Sequence, residues 1–202
     1  MMNKNKKLLV TTAVLGVLLL ITLLPTFAVT SSSNLPYLHI ESPLSDNAFQ
    51  FDEKGAYIEQ TTPPQALQRG WVVLSGFDPL VIKNSQVTVV LQQESVLSVV
   101  SDKKNDLQFY LVAGSASFLR DNSYTGNMNV KTPIAVYNTS GPGELFVTSD
   151  LNELVFSLGG SVEATNSITR TKTTLSPFAY VDLADPFLKE KPISQATYKT
   201  LS

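Results

Sequence analysis

Between residues 66 and 185 the sequence keeps returning to one pattern, and this pattern restricts the possible folds most. Short runs of Val, Leu, Ile, Phe and Tyr are closed by Gly, Pro, Asn, Asp or Ser. The runs cover residues 71–74, 80–82, 86–92, 96–100, 107–112, 115–119, 128–130, 134–137, 145–147, 154–158, 162–164 and 178–183. In the run 86–92, Val87, Val89 and Leu91 alternate with polar or smaller residues. That is the period of a strand, whose side chains point to opposite faces in turn. No window in this stretch supports an amphipathic helix of three turns. The spacing predicts an all-β domain over residues 65–185, a β-sandwich or β-roll of short antiparallel strands.

A repeated corner punctuates the runs. Leu67-Gln-Arg-Gly70-Trp-Val72-Val-Leu74 is echoed by Leu111-Val-Ala-Gly114-Ser-Ala116-Ser-Phe118. A second echo is Ser157-Leu-Gly-Gly160-Ser-Val162-Glu-Ala164, so the glycines stand 44 and 46 residues apart. Each is predicted to end one strand, turn at a glycine free to adopt positive φ, and open the next strand. Gly114 accordingly separates two predicted strands, and residues 101–106 form a polar turn.

The flanks read differently. Lys4, Lys6 and Lys7 precede an uncharged apolar run over residues 8–24, closed by Pro25 and followed by Thr26-Phe27-Ala28. This is the layout of an export signal, with small residues at a cleavage site. The run also approaches the ~20 apolar residues of a membrane-spanning helix. Residues 1–30 are therefore expected to be a signal peptide or an N-terminal membrane anchor, and both place the rest of the chain beyond the cytoplasmic membrane. Residues 31–64, with Pro36, Pro43, Pro63 and Pro64, form a linker or an edge-strand region, in which 37–40 and 56–58 are candidate short strands. Residues 186–202 form a polar C-terminal tail that is ordered only if Phe187, Leu188 or Ile193 docks onto the body.

Composition narrows the function. With 43% hydrophobic and 16% charged residues the chain can build a core, unlike a disordered segment. Cysteine is absent, which excludes disulfides, thiolate metal sites, a cysteine nucleophile and a lipid-bearing cysteine. Setting aside the three leader lysines leaves twelve basic residues against seventeen acidic ones, a net charge of −5. Such a body is a poor electrostatic partner for nucleic acid.

Motifs for catalysis are missing. His39 is the only histidine, between Leu38 and Ile40. The histidine-dependent triads need partners that this sequence does not supply. The closest acid groupings are Asp52-Glu53, Asp150 with Glu153, and Asp182 with Asp185, and they are expected to be solvated turn residues. Gly159-Gly160 precedes a strand, not the helix that follows a phosphate-binding loop. Asn138-Thr139-Ser140 fits the glycosylation triplet, which is common by chance. No catalytic, cofactor-binding or metal-ligating residue is assigned, and no cofactor is expected. The aromatic residues are the recognition candidates. Most should be core, but in Phe109-Tyr110 and Val155-Phe156 one member of each pair must face outward. Tyr110 is the expected outward residue of the first pair.

Several motifs come in a familiar order: Leu111-Val-Ala-Gly114-Ser-Ala-Ser-Phe118, Val130-Lys-Thr132-Pro133-Ile-Ala135-Val136, Gly143-Glu-Leu-Phe146-Val147 and Val155-Phe-Ser-Leu158-Gly-Gly160-Ser-Val162. The Thr-Pro-x-Ala element between two glycine corners is the most specific. In this order the stretch 66–182 resembles the FecR-type domain of bacterial envelope proteins. Glu144 stands where that family usually has Thr after Gly143. The resemblance implies a non-enzymatic binding or interaction module, exported to the periplasm or extracellular space. Its expected partner is an envelope protein, peptidoglycan or a glycan. It also implies an alternative role, as accessory component of a cell-envelope signalling relay. Signalling members resemble sigma-factor regulators with a cytoplasmic domain ahead of the membrane helix. The seven residues ahead of the apolar run here are too few for that domain.

Overall fold

The computed structural model describes residues 38–41, 49–59, 66–103, 105–149, 153–185, 187–194 and 197. The leader with residues 8–24, Pro36, Pro43, Pro63, Pro64, Asp150 and Lys199 lie outside these residues.

The regular structure of the described chain is nearly all β, arranged in two sheets that share one long strand. Sheet A runs β4 (Ala66–Leu67), β1 (Leu38–Ile40), β6 (Leu80–Lys83), β7 (Val87–Leu91), β9 (Asp106–Arg120), β12 (Gly143–Ser149), β13 (Leu154–Ser157), β16 (Ala179–Asp182) and β17 (Lys191–Pro192). Sheet B runs β3 (Tyr57–Ile58), β2 (Phe49–Phe51), β5 (Val72–Leu74), β8 (Val96–Lys103), β9 again, β10 (Asn127–Lys131), β11 (Ala135–Ser140), β14 (Ser161–Asn166) and β15 (Lys172–Leu175). One apolar cluster draws residues from both sheets, with Leu38, Leu67, Phe109, Phe118 and Tyr137 fully buried. Burial alternates as the sequence pattern requires, for example in β7, where Val87, Val89 and Leu91 are buried and Thr88 and Val90 are not.

The shared strand corrects the expectation of two strands around Gly114. Residues 106–113 pair with β8 and β10, whereas residues 114–120 pair with β7 and β12. Gly114 bends the strand between the two sheets at φ +85°. A straight strand would separate Phe109 from Phe118 by about 30 Å. The bend instead brings their ring centroids to 5.4 Å inside the core. One pairing also departs from the antiparallel expectation: β10 runs parallel to β9. Parallel neighbours need a crossover connection, and here the second half of β9, lying in sheet A, serves as that crossover.

All three echoed glycines stand where the chain changes sheet. Gly70 lies between β4 in sheet A and β5 in sheet B, Gly114 within β9, and Gly160 between β13 and β14. Their φ values are +85°, +85° and +77°, a region that side chains with a Cβ disfavour.

The changes of sheet near Gly114 are tied together by three serines. The Ser95 N–H donates to Ser75 Oγ at 2.9 Å, and the Ser115 N–H donates to Ser95 Oγ at 2.9 Å. Ser75 Oγ in turn donates to the Gln92 carbonyl. Ser75 follows β5, Ser95 precedes β8 and Ser115 follows Gly114, so each serine belongs to a different change of sheet. The buried backbone groups at these corners thus find partners where no ladder can supply them.

Arg120 secures the next change of sheet, from β9 to β10. It is 8% exposed. Nη1 donates to the Thr139 carbonyl at 2.7 Å, and Nη2 donates to the Tyr124 and Gly126 carbonyls at 3.1 and 3.0 Å. Its guanidinium also lies 5.0 Å from the Tyr124 ring centroid. A lysine can reach some of these carbonyls but lacks the planar fork. Arg120→Lys is expected to lower the unfolding free energy by about 2–3 kcal/mol, read from urea denaturation, because hydrogen bonds at a buried corner are lost.

The flanks of the β-body join it. Leu38 of β1 is fully buried, and β1 pairs with both β4 and β6. In the tail, Leu188 docks at 2% exposure while Phe187 stays 75% exposed.

Candidate functional site

The residue types most able to do chemistry meet at one buried point. Thr132 lies in the turn between β10 and β11, Tyr137 in β11, and Glu153 just before β13. They are 5%, 0% and 1% exposed. Thr132 Oγ1 donates to Glu153 Oε1 at 2.7 Å and accepts the Ala135 N–H at 3.0 Å. The Tyr137 hydroxyl donates to the same carboxylate oxygen. The Glu153 carbonyl accepts the Leu183 N–H at 3.0 Å, beyond the end of β16. The Glu153 carboxylate therefore fastens a hairpin of sheet B to the start of a strand of sheet A, and its backbone carbonyl ties that point to the turn that follows β16. This corrects the expectation that the acids are solvated turn residues. Glu153 is buried because its partners lie 21 and 16 residues away, a pairing that no local motif announces.

Burial pushes the Tyr137 hydroxyl far above its ordinary range, and the neighbouring Glu153 charge adds to the effect. Tyr110 is raised in the same way, by burial first and Glu153 second. The sign for stability follows. Above about pH 10 the unfolded chain gives up a tyrosine proton that the folded chain retains. Stability is therefore complete below pH 10 and falls as pH rises beyond it, by up to about 1.4 kcal/mol per pH unit for one such group. Urea midpoints measured from pH 9 to 11.5 are expected to fall more steeply in the native chain than in Tyr137→Phe.

Of the other acids, Asp52 and Asp185 lie outside the strands as expected, whereas Asp182 ends β16. Asp52 Oδ1 accepts the N–H groups of Lys54 and Ala56, each at 2.8 Å. Asp182 and Asp185 accept from Ala184 and Phe187 at 2.8 and 2.9 Å. His39 sits in β1, paired with Ala66 and Lys83. Asn138-Thr139-Ser140 is the end of β11. Among the described residues no group of three or more His, Asp or Glu could hold a metal ion, and no helix is long and apolar enough to cross a membrane.

Both sheets carry apolar residues on their outer faces. On sheet B, Val72, Leu74 and Val96 form a second buried cluster, with Phe49, Phe51, Val112 and Ala113 packed against it. Tyr57 of β3 covers this cluster from the sheet edge. Its ring lies 6.5 Å from Phe49 and 6.1 Å from Phe51, yet it is 57% exposed. Tyr110 belongs to this face as expected: Phe109 is fully buried, and Tyr110 stands in register with Ser98 and Lys131.

On sheet A, Phe146, Phe156 and Tyr180 are cross-strand partners on β12, β13 and β16. Their neighbours Val147, Val155 and Val181 are fully buried in the core, so the aromatic set faces outward. The centroids are 5.9 and 5.2 Å apart, and Phe156 and Tyr180 stack at 22°. Lys191 of β17 stands opposite Tyr180, with Nζ 5.8 Å from the ring centroid. The sequence identified Val155-Phe156 as a pair with one outward member. It gave no sign that three such residues form a row, because the row depends on register.

A solved structure of a candidate anti-sigma factor from Parabacteroides distasonis shares the fold, with a TM-score of 0.52 at 15% identity. The match covers 63% of this chain and 62% of that one. A second candidate anti-sigma factor structure from the same organism aligns with a TM-score of 0.47 at 16% identity, over 57% of this chain and 55% of the other. The chain thus spans less than two thirds of each. No protein-family model matches the chain, and no curated protein does.

Proposed function

We propose that this chain is an exported, non-enzymatic interaction module of the bacterial cell envelope, whose sheet B face docks a protein partner. The observation that carries the reading is Tyr57, an aromatic side chain left 57% exposed above an apolar cluster at a sheet edge. Exposed aromatics over an apolar patch are the usual anchors of protein recognition. The strong polar groups of the body, Glu153, Tyr137 and Arg120, are consumed in holding strands together. A Leu-x-x-Gly corner followed by Thr-Pro-x-Ala gives the FecR-type resemblance, and the lysine-then-apolar leader supports export.

A signalling-relay role is the second reading, and the fold likeness to a candidate anti-sigma factor favours it by analogy. In this role the β-body receives a signal from another envelope protein and passes it on as an accessory component.

Two experiments on the full chain test these readings. A C-terminal alkaline phosphatase fusion is expected to be active in intact cells, and an inactive fusion removes the exported module. A photo-crosslinker at position 57 is expected to trap a discrete second protein in cells, whereas one at exposed Lys172 is not. Absence of any adduct at 57 counts against the docking face. The relay reading requires that deleting the gene shifts a sigma-dependent transcript set.

A further inference from the structure

We propose that residues 187–194 are a displaceable clasp, which fills a peptide-binding groove along the β16 edge of sheet A, and that the same segment of a second copy of this chain takes its place there.

The segment is held as a bound peptide is held, by one apolar anchor and a short ladder. Leu188 is the only buried residue among 187–194, and it joins the main apolar cluster at 2% exposure. Phe187, Lys189, Glu190, Lys191 and Pro192 are all exposed. The strand β17 pairs with β16 at two positions, Ala179 with Pro192 and Tyr180 with Lys191. Pro192 has no N–H to give to that ladder. Beside it, the Ile193 N–H donates to the Phe178 carbonyl at 2.9 Å, and Glu190 Oε1 accepts the Ser176 N–H at 2.7 Å. Val181 and Asp182, the second half of β16, have no ladder partner on that side among the described residues. The edge is therefore only half covered.

Strain marks the root of the clasp. Leu188 has φ +45°, in the left-handed region where a bulky side chain is out of place. A tight turn imposes this backbone: the Leu188 N–H donates to the Asp185 carbonyl at 3.0 Å, and Asp185 Oδ1 accepts the Phe187 N–H at 2.9 Å. Strain of this kind persists only while the surrounding contacts hold it, and it concentrates in segments that switch. A strained turn ahead of a terminal strand also invites exchange of that strand between copies.

The contents of the groove identify its occupant. The apolar anchor, the two-residue ladder and Lys191, with Nζ 5.8 Å from the Tyr180 ring centroid, are contacts of this chain's own sequence. An identical tail meets every one of them with no change in the body. Opening the turn relieves the strain at Leu188, and the same contacts then form between chains. Reciprocal exchange is closed by a two-fold axis, and each copy completes the sheet A edge of the other. The groove is separate from the Tyr57 face of sheet B, and the inference does not rest on that face.

A fluorescent peptide of residues 187–194 and the full chain in mild detergent test the proposal. Full-length Leu188→Asp, whose own anchor is expelled, is expected to bind the peptide at micromolar concentration. The native chain is expected to bind it at least about tenfold more weakly, because its tethered tail competes. A peptide carrying Leu188→Asp is expected to bind neither, and circular dichroism checks that the variant chain keeps its strand signal. In the native chain the Ile193 amide is expected to exchange hydrogen at least about tenfold faster than the Phe178 amide, which donates to the Ser157 carbonyl inside the body. A photo-crosslinker at exposed position 187 is expected to join two full-length copies. A folded Leu188→Asp chain that ignores the peptide overturns the proposal, as does a scrambled peptide that binds equally well. An Ile193 amide no faster than that of Phe178, or crosslinks confined to single chains, overturns it whatever the variant does.

Discussion

Gly143→Ala is expected to leave the chain largely unfolded, while Gly141→Ala, two residues earlier, leaves it folded. A Cβ at position 143 would lie 2.1 Å from the Gly159 carbonyl oxygen and 2.2 Å from its carbon. Both atoms are backbone, so no rotamer change relieves the clash. Position 143 also has φ +143°, which disfavours any side chain. The obstacle arises because two changes of sheet are stacked: Pro142-Gly143 leads into β12, and Gly159-Gly160 leads into β14. A Cβ at Gly160 would in turn approach the Pro142 carbonyl oxygen to 2.6 Å. Separating these corners pulls β12 and β13 out of register with β9 and β16. The expected cost, on the order of 4 kcal/mol or more, is comparable with the whole stability of many domains. At Gly141 a Cβ would meet nothing within 4 Å, and only its φ of +78° opposes alanine. That costs about 1–2 kcal/mol. Circular dichroism and urea titration of the two variants side by side read the difference directly.

Glu153→Ala is expected to cost about 3–5 kcal/mol, which combines a buried cavity with two hydroxyls deprived of their acceptor. The Tyr137 hydroxyl is deeper than any water can easily reach, since the residue is fully buried. Thr132 keeps only its bond from the Ala135 N–H and a long contact of 3.5 Å to the Ala135 carbonyl. If this cost comes from unsatisfied polar groups, removing the polar partner as well should lower it. Glu153→Leu combined with Tyr137→Phe is therefore expected to recover about half of the loss or more, as buried polar clusters replaced by apolar side chains commonly do. Thermal or urea unfolding of the single and double variants checks this. A double variant as unstable as Glu153→Ala would mean that Glu153 acts through something other than these hydroxyls.

The parts of the fold legible in the sequence were those carried by local chemistry. Val87, Val89 and Leu91 alternate because one face of β7 is buried, and Gly70, Gly114 and Gly160 stand where the backbone needs positive φ. The continuity of β9 was not legible. A strand that bends at glycine and a turn between two strands have the same local composition, and what separates them here is the Ser95 hydroxyl that holds Ser115 from twenty residues away. The strand β8 continues through Ser101 to Lys103, where polar residues had suggested a turn, because Ser101 Oγ donates to the Asp106 carbonyl and keeps the hairpin closed. The strand β15 is not legible: in Lys172-Thr-Thr-Leu175 only Leu175 is fully buried, so the apolar signal is a single residue.

The candidate surfaces were legible to the same limited depth. Alternation showed that Tyr110 faces outward. It could not place Tyr57 above Phe49 and Phe51, because that contact needs β2, which lies between two stretches with no periodic signal. Nor could it align Phe146, Phe156 and Tyr180, since alignment across strands follows from hydrogen-bond register and not from any one strand.

All of these assignments depend on a single strand serving two sheets, and nuclear Overhauser contacts between backbone protons of the labelled chain test it most directly. The backbone of Phe109 is expected to contact Val99 and Val130, and that of Phe118 to contact Val89 and Leu145. Finding Phe109 and Phe118 with neighbours drawn from one common set of strands would contradict the bend at Gly114 and the architecture built on it.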